Sequence, residues 1–262
     1  MDQGTNAWLE WRKGGIGSSD APVVMGVSPY KTPYQLYLER RGESIYQKSD
    51  PYILEKGHRI ERQARALCEI QNEGIAFPPM LCQMIDYPQF KASMDGINFE
   101  ANEAREFKFV GKKEFDEGIC PARYWPQIQH QYMVTGIGMI KIVLCAEIGK
   151  HKNLRIKEIY VPMDLAYIQN KLVPGILEFL WKVEHGIPPE LQKGDAVRVK
   201  DRATMMLIKR YHSNMRKINA IKSLEAENEE ILLKIARSGR HALMVHHKTM
   251  FRRVETMRPE CL

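Results

Sequence analysis

The sequence predicts an α/β protein with a helical C-terminal extension, and three observations carry that reading. Ile140 to Ile148 and Arg155 to Val161 are two β-branched runs a short distance apart, the mark of adjacent strands. Between Tyr52 and Ile70 the apolar residues Ile53, Ile60, Ala64, Leu67 and Ile70 keep helical spacing, so this segment reads as an amphipathic helix with Glu61 beside its buried stripe. Beyond Gly186-Ile-Pro-Pro189, a second stripe of Ile208, Tyr211, Met215, Ile218, Ile221, Leu224, Ile231 and Ile235 predicts one long helix from about Asp201 to Ala236. The chain divides accordingly into a body, residues 1–189, and a basic, mainly helical extension, residues 190–262.

Each element has its local reason. The segment AWLEWRKGGIGSSDAPVVMG leads into a short helix that Ser18 or Ser19 caps, with Asp20 in its first turn and Gly26 as its stop. In KTPYQLYLERRG, Thr32 is the N-cap, Pro33 the first helical residue, Gln35 the capping-box partner and Gly42 the end. After the helix at 52–70, Leu81 to Val110 reads as strands. A helix from Pro126 to Thr135 closes at Gly136, and the two β-branched runs follow. Asp164 opens a long helix, kinked near Pro174-Gly175 and stopped at Gly186. In the extension the apolar spacing slips to consecutive threes between Ile218 and Leu224, which argues against a regular coiled coil.

Composition narrows the function classes. With 262 residues, 44% of them hydrophobic, the chain can build a real core and is not a disordered protein. No N-terminal basic and apolar segment is present, and the most apolar region, Tyr132 to Ile148, is broken by Lys141 and two glycines, so a soluble cytoplasmic protein with no membrane association is expected. The five cysteines, Cys68, Cys82, Cys120, Cys145 and Cys261, show no Cys-x-x-Cys spacing and suggest neither disulfides nor a zinc site. Met1 to Pro189 carries 23 Lys and Arg against 23 Asp and Glu, whereas Glu190 to Leu262 carries 16 against 9, so the whole formal excess of +7 sits in the tail. A basic appendage on a neutral body points to a polyanionic partner, nucleic acid before membrane.

The familiar enzyme signatures are absent: there is no His-Glu-x-x-His, no glycine-rich phosphate loop after a strand and no Gly-x-Ser-x-Gly elbow. What remains is the stretch MDGINFEANEAREFK, residues 94–108, with Asp95, Glu100, Glu103 and Glu106 and a closing Lys108. Its end alternates, so that Glu106 and Lys108 share one face of a strand while Phe107 and Phe109 share the other and can face the core. Glu106-Phe-Lys108 is the sole acidic-x-Lys triplet in the sequence. A carboxylate and a lysine side by side over a sheet, with a second carboxylate from the preceding strand, can hold a divalent cation through oxygen ligands and leave an ammonium near an attacking water. INFEANEAR lacks the glycine or Asn-Gly of a tight hairpin, so Glu100 and Glu103 compete as partner of Asp95; the register of Lys108 favours Glu106 and leaves Glu100 and Glu103 to the turn. A second candidate lies upstream, where Ser19 at a helix start offers backbone N–H groups and Arg12 can grip a phosphate with two parallel hydrogen bonds.

The order of AWLEWR (7–12), GIGSS (15–19), GHRIE (57–61), SMDG (93–96), Glu106-Phe-Lys108 and YWPQIQ (124–129) resembles the YqaJ viral recombinase family, relatives of the phage lambda alkaline exonuclease, over most of residues 7 to 190. The resemblance implies a PD-(D/E)XK nuclease core, a mixed central sheet flanked by helices, although Met94 stands where the motif has its proline. It implies a 5′ to 3′ exonuclease that degrades one strand of linear duplex DNA with Mg²⁺, Mn²⁺ being a possible substitute, beside a single-strand annealing protein, as a ring-shaped trimer in the cytoplasm of a bacterial host. Carried over by residue, Asp95, Glu106 and Glu61 would be metal ligands, Lys108 would orient the water, and Arg12, Ser19, Ser93 and Gln127 would hold the terminal 5′-phosphate. The plain alternatives are that Glu61 faces solvent, Ser19 only caps its helix, Ser93 is an ordinary strand residue and Gln127 is one of three glutamines on a polar helix face. At the level of function the rivals are a structure-specific endonuclease of the same superfamily and a noncatalytic DNA-binding recombination mediator.

Overall fold

Local sequence dictates most elements of the computed structural model, which describes residues 5–44, 51–149, 151, 153–196, 201–237, 243–246 and 250–253. The chain opens with α1 (Asn6–Lys13), β1 (Ile16–Gly17), a 3₁₀ turn at Ser18–Asp20, α2 (Ala21–Val24), α3 (Pro33–Arg40) and α4 (Pro51–Gln71). Four strands follow, β2 (Met80–Gln83), β3 (Phe90–Met94), β4 (Gly96–Asn98) and β5 (Glu103–Phe109), then α5 (Lys112–Glu117), α6 (Trp125–Thr135), β6 (Met139–Ile148) and β7 (Asn153–Val161). A helical stretch closes the unit as α7 (Leu165–Tyr167), a π-helical segment (Ile168–Leu172) and α8 (Val173–His185). Contacts divide the chain into Met1–Ala196 and Val197–Leu262. The second unit holds α9 (Arg202–Arg237) and the antiparallel pair β8 (Leu243–His246) and β9 (Met250–Arg253).

The larger sheet has the order β4-β5-β6-β7, mixed because β5 and β6 run parallel while both outer pairs are antiparallel. β6 is apolar at nearly every position because it is covered on both faces, the pattern of a central parallel strand. Ile140, Ile142 and Leu144 join the main core with Ile128 and Tyr132 of α6, and Val143 and Cys145 pack with Ile60, Ala64 and Cys68 of α4. The buried stripe of α4 is thus Ile60, Ala64 and Cys68 at four-residue steps, while Ile70, which the sequence placed on it, is exposed. The smaller sheet, β1-β3-β2, passes into the larger at one residue: β3 ends at Met94, β4 begins at Gly96, and Asp95 is the joint. Gly15 is required nearby, since a Cβ there would sit 2.2 Å from the Gln89 carbonyl oxygen where β1 joins β3.

Several local expectations need correction. The first short helix is not capped by Ser18 or Ser19; both lie in the 3₁₀ turn, Gly17 is at its N-cap, and Asp20 Oδ2 accepts the Gly17 N–H. The irregularity expected at Pro174-Gly175 sits just before it, in the π-helical segment. The β4–β5 hairpin turns without glycine because Asn102 takes the left-handed conformation (φ 54°) and Asn98 accepts the Ala101 N–H, both habits of asparagine. Glu103 is not in the turn but is the first residue of β5, paired with the fully buried Arg105 at 2.8 Å. Phe109 is 44% exposed rather than in the core, with the Lys56 ammonium over its ring.

Candidate active site

The hairpin register assembles the first group. Gly96 pairs with Arg105 across β4 and β5, which sets Asp95 beside Glu106, and Asp95 Oδ2 accepts the Phe107 N–H at 3.0 Å. Glu106, only 1% exposed, is held by three donors: Gln127 Nε2 and Lys108 Nζ on Oε1 and Gln131 Nε2 on Oε2, each at 2.5 Å. Gln127 and Gln131 are one helical turn apart on α6 and therefore reach the same carboxylate. Glu61 comes from α4, where Arg65 donates to it at 2.6 Å. Glu61, Asp95 and Lys108 line one cleft of about 250 Å³, with Gly57, His58 and Phe107.

The charges in this cleft are strained. Burial, then the neighbouring Glu106, pushes the Asp95 carboxyl well above the usual carboxylate range, and Lys108 only partly offsets the rise. Burial also raises Glu61, with Glu106 adding to it and Arg65 opposing. Lys108 moves the other way for an ammonium in a cleft: burial works against its charge, but Glu106 and Asp95 outweigh burial and raise its pKa, so it is firmly protonated. Among the described residues no three His, Cys, Asp or Glu side chains stand grouped as a ready metal-binding set. The donor chemistry nonetheless fits a hard divalent cation, since carboxylate oxygens are its preferred ligands and the surplus buried negative charge calls for a counter-ion.

A second group lies along α1 and the 3₁₀ turn. Arg12 donates to Ser19 Oγ at 2.9 Å and pairs with Asp20 at 3.1 Å, and Asp20 also binds Arg40 at 2.5 Å. Burial would raise the Asp20 carboxyl, but Arg12 and Arg40 hold it below the usual range, so one carboxylate faces two guanidiniums and the group keeps a positive surplus. Trp8 stacks on Arg12 (4.8 Å) and donates from Nε1 to Ser93 Oγ at 3.0 Å. A helix-end dipole adds little here, because α2 has only four residues. An anion here would be gripped by side chains.

A model of the YqaJ-like viral recombinase domain matches residues 7–138, half of the chain. The chain belongs to that family. It is 26% identical over 149 residues to the uncharacterized protein YqaJ of Bacillus subtilis (strain 168), a match covering 55% of this chain and 47% of that protein, so it spans about half the length of this curated relative. Among solved structures it is similar to LHK-Exo, an alkaline exonuclease from Laribacter hongkongensis, with TM-score 0.56, 21% identity and coverage of 70% of this chain and 94% of that one. The complex of LHK-Exo with dAMP gives TM-score 0.56 and 22% identity over the same shares. The family fold is PD-(D/E)XK, and the mixed sheet flanked by helices is that fold.

Within this family member, the sequence-derived residues fall into two places. Asp95, Lys108 and Glu61 line the cleft, Glu106 is buried and bonded to Lys108, and Arg12 and Ser19 touch each other, with Ser93 joined to them through Trp8. Gln127 goes to the carboxylates instead of the anion pocket. It is not on a polar solvent face either, since Gln127, Gln129 and Gln131 are all buried. Reading the sequence missed Gln131, Asp20, Arg40 and Trp8. The first was recoverable, because Gln127 and Gln131 are spaced i,i+4, whereas the Asp20 ion pairs depend on how α1 and α3 meet.

Proposed function

We propose that this chain is a metal-dependent deoxyribonuclease that removes nucleotides 5′ to 3′ from one strand of linear duplex DNA, starting at 5′-phosphorylated ends. The observation that carries this reading is the pairing of a buried carboxylate cleft lined by a protonated lysine with a separate Arg12 and Ser19 cluster that can hold an anion. Asp95, Glu106 and Glu61 would hold Mg²⁺, or Mn²⁺ in its place. When bound, the cation supplies charge that offsets the scissile phosphate and lowers the pKa of the attacking water. Lys108, held protonated by Glu106, orients that water and offers positive charge to the phosphate oxygens. Gln127 and Gln131 fix the Glu106 carboxylate so that its oxygens need no rearrangement during the reaction.

Arg12, oriented by Asp20, grips the terminal phosphate together with Ser19 and Ser93, and this grip gives the enzyme its direction. We place the nuclease in residues 1–189, with residues 190–262 as an appendage, and in a bacterial cytoplasm, as a trimer around duplex DNA beside a single-strand annealing protein. An assay on linear duplexes with 5′-phosphate or 5′-hydroxyl ends and on closed circles, with and without Mg²⁺, tests the reading. Mononucleotides released from phosphorylated ends only with Mg²⁺ support it. Equal cutting of closed circles would point to an endonuclease, and binding without any cleavage to a noncatalytic mediator.

A further inference from the structure

Gly57 lies inside the 21-residue helix α4, well past its start at Pro51. Glycine is the poorest helix residue after proline, because it gives up the most backbone freedom and packs nothing in return. A helix keeps one at this cost where something must come closer than a Cβ allows. Gly175 of α8, the other helical glycine among the described residues, is explained in that way: a Cβ there would sit 3.1 Å from the Met25 sulfur at the end of α2. At Gly57 a Cβ would meet no described atom within 4 Å. The described part of the fold therefore does not itself require this glycine.

Gly57 lines the same cleft as Asp95 and Lys108, and Glu61 stands one helical turn further on. Its surroundings suit an anionic chain. His58 lines the cleft beside it, and Lys56 and Arg59 share a single carboxylate, Glu147, each at 3.6 Å, which leaves two cations to one anion. Phe109, placed in the core by its sequence pattern, lines this cleft instead and is 44% exposed, with the Lys56 ammonium 4.9 Å from its ring centre. Cations along a groove attract a sugar-phosphate backbone, and an exposed aromatic ring stacks on a base whatever its sequence.

We propose that the missing side chain at Gly57 is the clearance through which the strand being cut reaches the carboxylates, its backbone against α4 and one of its bases on Phe109. This rests on the nuclease reading and adds to it the route of the strand. An alanine methyl at residue 57 would stand in the open space of the cleft and hold the strand back from Asp95 and Lys108. Small displacements of that kind cost a reaction far more than they cost a fold.

Gly57→Ala tests this, because the two roles of the residue predict opposite signs. The variant should melt about 2 °C higher than the natural chain, as alanine is the better helix former. Its affinity for a 5′-phosphorylated duplex, measured by anisotropy in EDTA, should fall about tenfold, and its cleavage rate in Mg²⁺ about 100-fold. Phe109→Ala should weaken the same binding about tenfold, and Phe109→Tyr should restore it. Natural affinity and cleavage in Gly57→Ala, a lower melting point in that variant, or natural affinity in Phe109→Ala would each overturn the proposal. If the natural chain binds duplex without cutting it while Gly57→Ala binds more weakly, the nuclease reading fails and the route stands. If both cut equally, the route fails and the nuclease reading stands. A natural chain that binds no duplex overturns both.

Discussion

Glu106 accepts a hydrogen bond from each of two glutamines and from Lys108, so both of its oxygens are fixed. Glu106→Gln keeps the shape but removes the charge and sets amide against amide. Cleavage should fall by on the order of 10³-fold, with end binding little changed in a filter or anisotropy assay. Retained cleavage would mean that Glu106 is misassigned. Gln131→Leu removes one donor and leaves Oε2 unsatisfied, which should cost about 1–3 kcal/mol of stability and about 10- to 100-fold in kcat; an unchanged kcat would make the bond idle. On the same helix His130 is fully buried with neither ring nitrogen bonded to a described residue, and burial pushes its pKa down to about 4. The unfolded chain, with a pKa of about 6.5, therefore binds the proton first. Stability should be complete above that value and decline as the pH falls towards 4, by on the order of 3 kcal/mol in all. Urea melts at intervals from pH 7 to pH 4 measure the slope, and His130→Leu should flatten it.

Elements, rather than single residues, decide whether these side chains meet. α4, β5 and α6 were legible in the sequence because their apolar patterns are long, and so the two faces of the sheet were foreseeable. Their mutual register was not. Nothing local says that Asn102 supplies the left-handed turn, yet that turn fixes the β4–β5 pairing and hence the placement of Asp95 beside Glu106. The buried face of α6 misled for a related reason: a run of glutamines reads as solvated until the strand carboxylate it serves is known. α4 approaches the sheet through Ala64, which is fully buried. Ala64→Leu adds three carbons to a filled contact and should cost about 1–3 kcal/mol. Because Glu61 rides on the same helix, cleavage should fall further than the lost stability explains, at a temperature where circular dichroism shows the variant folded. Cleavage at the natural rate would mean that Glu61 does not depend on the seating of α4.

At the scale of the whole molecule, the excess of basic residues after Pro189 is plain in the sequence, but the internal cost of the cleft is not, because it depends on three chain segments meeting. Asp95 sits where burial and Glu106 both disfavour its ionised form. A raised carboxyl pKa means that the folded chain holds its proton more tightly than the unfolded chain does. Folding stability therefore declines as the pH rises from the unfolded value of about 4 through the folded one, and the ionised Asp95 is a charge the fold would be more stable without. Asp95→Asn keeps an oxygen for the Phe107 N–H and removes that charge. It should raise the stability of the metal-free protein by about 1 kcal/mol while stopping cleavage. A divalent cation at the proposed site would relieve the same repulsion in the natural chain, so Mg²⁺ should stabilise it, by about 2.7 kcal/mol at a hundredfold excess over the dissociation constant, and raise its unfolding midpoint. The same addition should leave Asp95→Asn nearly unmoved. Thermal melts of both proteins in EDTA and in Mg²⁺ read this without reference to activity, and equal shifts in the two would place the cation away from Asp95.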